Sequence, residues 1–523
     1  MSRSKLIRKA PLVLFLVVLA LPGFSQVIIT GTGAGAFKCT EGADPAIGVA
    51  GSDYVWCDSS HWLTMNNHNS GAAPNNLQPG TSTTSLAGVV DTKNDNTIYS
   101  SPVDATNGYP SFLTVPTAGQ VKITAGDGNT GNPAPLIVYI AGRKEIITGL
   151  LTNAILSAST TYYVYLNFNT SPTNTDIAVT TLAPVYSRTK PTCSTNSTPQ
   201  FWFDATTRLM RSCVSNTNTW VAMPVLFLGV IVTNSSNTAA GIAHEPWGLD
   251  PLTRIREFGN GSAGAVSPAA SNTCDGWVQY SAVELTNGGS LTHTQISPNS
   301  SKVGCYAYSQ NPVLITGTST VDLKGLGRSG GGAVSGNGAG NNGNSGGFGG
   351  AAGGGGGSSS SAGGAGGGHS IPQAYTTSGG GNGGTSSAGS GGNATVQNTS
   401  NFVRFNCDQF SPLGGSGGGS GGGVAGGGGG KGGDGGGGLC LKAPSIIINT
   451  TGTFDADGGA CTNPTGNNGQ PGASGGGTIF FDAYFVNISG TTITESAGNN
   501  CAVGSGGTGG TGQPGIQITL QRQ

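Results

Sequence analysis

The chain has 523 residues, of which 96 are glycine and only 9% are charged, and its net charge is −1 at neutral pH. That balance offers no basic field to nucleic acid or to an anionic membrane surface, so neither is read as a partner. The length allows two to four domains, but so much glycine excludes one side-chain core running throughout, because glycine brings nothing to bury and loses the most backbone entropy on folding.

Residues 1–25 read as a secretory signal peptide. Lys5, Arg8 and Lys9 form a positive start, Leu12–Leu21 an apolar run, and Gly23-Phe24-Ser25 places small residues at a cleavage site near Ser25. The run is too short to span a bilayer, and no later stretch is long and apolar enough. A secreted or cell-surface protein without a transmembrane segment is therefore expected. Residues 26–115 form a loop-rich segment of Thr, Asn, Ser, Gly and Pro with a short strand at 53–57. Cys57, His61 and His68 lack a fourth ligand and suitable spacing for a metal, so a disulfide and two surface histidines are the simpler reading.

Residues 116–250 alternate like strands. Thr161–Phe168 places Tyr162, Val164, Leu166 and Phe168 on one face. Val225–Val232 is apolar on both faces, which predicts the central buried strand of a small antiparallel β domain. Its aromatics, among them Phe201, Trp202, Phe203 and Trp220, read as core rather than as a sugar-stacking platform.

Repetition follows. Residues 251–324 read as a β repeat entering the glycine tract, and 440–523 as further β repeats. Val313–Leu323 runs into glycine, Ile446–Gly459 does much the same, and Phe485–Thr494 repeats it. Ala443 matches Ala483, and Cys461 matches Cys501, each 40 residues on. A period near 40 suggests stacked units, as in a β-solenoid. Between them lies 325–439; residues 331–440 hold 47 of the glycines. Composition allows two states there: a disordered linker, or extended helices of three residues per turn whose bare backbones approach closely. Lys431 and Asp434, three apart, would share one edge of such a helix. The fold class expected is thus mainly β: a small antiparallel β domain, then a β-solenoid-like region interrupted by a polyglycine-rich segment.

Ten cysteines, at 39, 57, 193, 213, 274, 305, 407, 440, 461 and 501, with no CxxC pair, favour disulfides in an exported protein. Sequential pairing (Cys39 with Cys57, Cys193 with Cys213, Cys274 with Cys305, Cys407 with Cys440, Cys461 with Cys501) closes local loops. Pairing between equivalent cysteines of stacked units competes with it.

Catalytic patterns fail. A phosphate loop ending at Lys431 would need Gly at 425 and Ser or Thr at 432, where Ala425 and Gly432 stand. Asp455-Ala456-Asp457 lacks a third carboxylate for calcium. Asp250, Glu257, Glu284 and Asp322 are acids with nothing to single out a glycosidase pair. His244-Glu245 lacks the second histidine of a zinc protease. No catalytic, cofactor or metal residue is assigned.

FGNGSAGAV (258–266), LTNGGSL (285–291) and VLITGTSTVDLKG (313–325), leading into the glycine tract, resemble glycine-rich phage tail-fibre and bacterial surface-adhesin modules. PVYSRTKP (184–191), FWFDATTRLM (201–210) and VLFLGVIVT (225–233) are similar to neck domains of such fibres, and ADPAIGVAGSDYVWCDSS (43–60) to their N-terminal segments. The resemblance implies packed polyglycine helices whose loop tips touch a receptor. Phage tail proteins assemble in the cytoplasm and need no signal peptide, which points to a bacterial exported protein. The role expected is structural or adhesive: fibre-like, recognising a cell-surface glycan or receptor without catalysis, and open to homo-oligomerisation. The alternatives are a secreted polysaccharide-degrading enzyme on a β-solenoid and an inert matrix or coat component.

Overall fold

The computed structural model describes residues 96–522 except 106–107, 127–133, 141–142, 168–175, 194–199, 215–218, 287, 297–303, 346–351, 359–360, 368–383, 385–388, 395–413, 424–427, 465–467, 500 and 502–506. At 143, 149–154 and 214 it describes the backbone alone, as it does for short strands before residue 93. The chain divides into two compact units, Met1–Thr92 and Lys93–Gln523. In the first, Tyr54–Cys57 pairs antiparallel with Leu63–Asn66, as the strand expected at 53–57 requires, and Leu63–Asn66 pairs with Asn75–Asn76. The signal-peptide reading of 1–25, and Cys39, His61 and His68, lie outside the described residues.

The second unit begins with antiparallel sheets. Val225–Thr233 is buried along its whole length and lies between Thr161–Asn167 and Ala239–His244. Its composition explains the position, because only a strand covered on both faces can bury VLFLGVIVT. Leu226, Leu228 and Ile231 pack with Val121, Ile123, Leu136 and Val138. Phe227, Val230 and Val232 pack with Tyr186, Phe201, Phe203 and Met210. The alternation changes phase at Gly229, where the pairing with Thr161–Asn167 shifts register. Gly229 has φ of +150°, and a Cβ there would lie 2.3 Å from the Ala243 carbonyl oxygen, so the bulge needs glycine.

Thr161–Asn167 departs from the expected single apolar face. Tyr162, Val164 and Leu166 fill one core, and Tyr163 and Tyr165 on the opposite face fill the other. The aromatics read as core are core: Phe201, Trp202, Phe203 and Trp220 are all buried.

Pro251–Phe258 is an eight-residue helix within a region expected to be β only. Its start is written locally: Asp250 Oδ1 accepts from Leu252 N at 2.9 Å and Thr253 N at 3.0 Å, and Pro251 occupies the first turn.

From there the pairing is parallel. Gly276–Tyr280, Cys305–Ser309, Gly438–Thr450, Thr478–Ile488 and Ile516–Gln521 follow one another side by side. A second parallel sheet orders Ser271–Thr273, Ser290–Thr292, Thr320–Asp322, Phe454–Asp455 and Ile493–Thr494. Leu439, Leu441, Ala443, Ile446, Ile448 and Phe481 pack with Leu291, Val321 and Phe454 in one cluster joining the two sheets. Ala443 and Ala483, matched in sequence, are Cα partners. On the other side, Leu314 and Ile447 enter the core of Phe227 and Tyr163 and so join the parallel to the antiparallel sheets.

The described part of the glycine tract is hydrogen-bonded with a repeat of three. Along 415–423, Gly417, Ser420 and Gly423 donate to the carbonyls of Asn344, Asn341 and Gly338. Gly415, Gly418 and Gly421 donate to Gly436, Gly433 and Gly430, while Gly419 and Gly422 donate to Gly353 and Gly356. Carbonyls are shared in the same way: Ser416, Gly419 and Gly422 accept from Gly475, Gly472 and Gly469; Gly417 and Ser420 from Gly367 and Gly364; Gly415 and Gly418 from Arg328 and Gly331. The segment thus bonds to six neighbouring stretches of backbone. A Cβ at Gly421 would lie 1.8 Å from the Gly469 carbonyl oxygen, so side chains are excluded by contact rather than by turn geometry.

Candidate functional site

The second parallel sheet points every other residue away from the core. Leu291, Val321 and Phe454 face inward. Their neighbours form two outward columns: Ser271, Ser290, Thr320, Thr453 and Thr492, and beside them Thr273, Thr292, Asp322, Asp455 and Thr494. Parallel strands stand about 4.8 Å apart, so hydroxyls repeat along the stack at that spacing. Beyond them Lys324 Nζ lies 3.4 Å from Asp455 Oδ2 and 3.7 Å from Asp457 Oδ2. Asp457 Oδ1 accepts from Ser496 N at 2.6 Å. This face can donate to and accept from a polyol. Sequence reading passed over it. Its signal was the recurring Ser/Thr-x-Thr/Asp after each turn, visible only once the strands are aligned.

The acids considered from sequence are each committed to a different contact. Asp250 caps the helix. Glu257 pairs with Arg522, which also holds Asp482 at 2.6 Å and 2.8 Å. Asp322 Oδ1 accepts from Lys324 N at 3.2 Å. Glu284 is buried and accepts from the Tyr163 hydroxyl at 2.8 Å; burial pushes its carboxyl up to about 8, against which the Tyr163 bond acts.

His244 and Glu245 are likewise structural. Burial depresses His244 to about 4, against which its contact with the Leu113 carbonyl, 3.2 Å from Nε2, acts; the ring packs on Phe112. Glu245 pairs with buried Arg254, whose guanidinium lies over the Tyr186 ring and donates to the Gln310 carbonyl. Gln310 continues the joint, donating to the carbonyls of Tyr186 and Gly259 at 2.7 Å each. These buried groups cement the antiparallel sheets to the parallel ones.

Lys431 and Asp434 form an ion pair at 2.8 Å, and Asp434 also accepts from Gly330 N at 2.8 Å. Three disulfides are described: Cys193–Cys213, Cys274–Cys305 and Cys461–Cys501. All three join neighbours in sequence. Cys461 and Cys501 are also the equivalent pair of successive repeats, so the two competing pairings coincide there. Cys440 is disulfide-bonded, while Cys407 and the side chains of Cys39 and Cys57 lie outside the described residues. Among the described residues no group of three His, Cys, Asp or Glu side chains could hold a metal, and no helix is long and apolar enough to cross a membrane.

Comparison with protein-family models, curated proteins and solved structures finds no match. The reading of function therefore rests on the chain itself.

Proposed function

We propose that the protein is a secreted or cell-surface scaffold of fibre-like architecture that recognises a cell surface or polysaccharide without catalysis. The observation carrying this is the bonding of 415–423 to six neighbours with a repeat of three. That repeat is what helices of three residues per turn make when their bare backbones pack side by side. Two parallel sheets in register, with glycine segments between their strands, are what coils of a β-solenoid supply. Both elements suit a rigid extended support, and the resemblance to phage fibre and surface-adhesin modules agrees with it. Hydroxyls in columns suit weak contacts repeated along a surface.

Amide exchange tests the scaffold, and the expected result is protection of Gly417–Gly422 comparable to that of Leu439–Leu441. Complete exchange of those glycines within the folded protein's dead time would sink it. The enzyme reading has one support, Lys324 placed between Asp455 and Asp457. Incubation with a glycan panel separates the two: binding without shortening of the chains is expected, and any chain cleavage abolished by Asp455→Asn would establish the enzyme.

A further inference from the structure

A groove of about 220 Å³ lies where the turns after two successive long strands meet. Its walls are the turn that follows Gly438–Thr450 and the equivalent one that follows Thr478–Ile488. Two threonines are spent on building it. Thr450 Oγ1 donates to the Ser319 carbonyl at 2.7 Å and accepts from Gly452 N at 3.0 Å. Thr491 Oγ1 donates to the Thr450 carbonyl at 3.1 Å and accepts from Thr450 N at 3.0 Å. These bonds fix one turn on the next, so the groove is formed before any ligand arrives.

Other groups lining the groove keep hydrogen-bonding capacity. The hydroxyls of Thr453 and Thr492 are exposed and bond to no described residue. Thr494 Oγ1 makes only a 3.4 Å contact with Asp455 Oδ1. Asp455 Oδ1 accepts from Asp457 N at 2.8 Å and its Oδ2 faces Lys324 at 3.4 Å, which leaves the carboxylate part of its accepting capacity. Free hydroxyls that both donate and accept, beside a carboxylate that accepts, match the vicinal hydroxyls of a sugar. The volume is below the roughly 300–1,000 Å³ of sites for drug-sized ligands, which suits one ring and not a buried oligosaccharide. Asp455 and Asp457 outnumber Lys324, so an acidic sugar is disfavoured.

We propose that this groove binds a single neutral hexose ring presented by a surface polysaccharide, with Thr453, Thr492 and Asp455 as its hydrogen-bonding groups. The proposal rests on the recognition role given above and names its site. Lacking an exposed aromatic platform, the groove binds one ring weakly and gains strength only where several copies meet a repeating polymer.

The test titrates methyl α-glucoside, methyl α-galactoside and methyl α-mannoside into the full protein, read by saturation-transfer NMR and calorimetry. The double variant Thr453→Val, Thr492→Val keeps the shape and removes both hydroxyls. One hexoside should bind the parent protein at millimolar concentration and the double variant at least tenfold more weakly, at an unchanged thermal midpoint. Should that midpoint fall, Asp455→Asn serves instead, with at least fivefold weaker binding expected. Parent-like binding by a folded variant, or binding of no hexoside by the parent, overturns the groove. Pull-down on insoluble polysaccharides is run alongside. A folded variant with parent-like retention on polysaccharide means that recognition lies elsewhere, whereas a parent that binds neither hexoside nor polysaccharide removes the recognition role as well.

Discussion

The parallel strands and the glycine segments bury themselves by opposite means. In Gly438–Thr450, the side chains of Leu439, Leu441, Ala443, Ile446 and Ile448 are fully buried, and apolar area taken out of water drives the packing at about 25 cal/mol per Å². In 415–423 almost nothing apolar is available. Its backbones approach until a methyl group would lie 2.1 Å from a carbonyl oxygen, as at Gly417 and Gly418. Stability there comes from hydrogen bonds, each contributing about 0.5–1.5 kcal/mol net, against the high entropy cost of ordering glycine. One region needs its side chains, and the other needs their absence.

The sharpest break of this comparison is a pair of opposite substitutions. Leu441→Ala removes buried methyls and should cost about 2–5 kcal/mol in denaturant unfolding. Gly421→Ala adds one methyl, conservative by any hydropathy scale, and should cost about 3 kcal/mol, because that methyl would lie 1.8 Å from the Gly469 carbonyl oxygen, which is backbone and not the end of a flexible side chain. A neutral Gly421→Ala would show that the glycine segments are loosely packed. Next in size is the tie between repeats. Replacing Cys461 and Cys501 by serine should cost about 2–4 kcal/mol, read in the same unfolding curves under oxidising conditions.

The joint between the two kinds of sheet should titrate. The Glu284 carboxyl stands at about 8 in the folded state against 4.5 as its ordinary value. Its contribution is therefore fully present below pH 4.5 and is lost as pH rises through 8. His244 runs the other way: held at about 4 against 6.5, it contributes above pH 6.5 and loses that as pH falls through 4. Glu284→Gln should flatten the fall in thermal midpoint between pH 6 and 9 and leave the acid limb intact. A midpoint profile identical to that of the parent would refute the assignment. The smallest effect belongs to Lys431→Ala. With Lys431 38% exposed, loss of its pair with Asp434 should cost less than about 1 kcal/mol, and a cost above that in the same unfolding curves would give the pair a larger part in the glycine packing than its exposure allows.

Much of this was legible along the chain. An apolar stretch without alternation can only be covered on both sides, so Val225–Thr233 declared its central place. A repeat of 40 residues aligned Ala443 with Ala483 and Cys461 with Cys501 before any sheet was known. A spacing of three put Lys431 and Asp434 on one edge of any three-residue helix, and they do form an ion pair. Even the helix at Pro251–Phe258, passed over among β repeats, carried its signature in Asp250, Pro251 and Gly259. These features depend on near neighbours and on period, and both are written in the order of residues.

Only the tertiary structure decided the rest. Alternation singled out the face of Tyr162, Val164 and Leu166, and only a second layer shows that Tyr163 and Tyr165 are buried as well. Nothing along the chain set Glu284 apart from Asp250, Glu257 and Asp322; its burial, which raises its carboxyl, is a product of packing. The threonine columns exist only where strands far apart in the chain lie side by side. The glycine tract is the extreme case. A residue without a side chain carries no mark of its partner, so nothing in the order of residues could assign Gly417 to Asn344, or Gly418 to Gly433. Composition made close backbone contact possible there, and the packing of the whole unit chose which backbones meet.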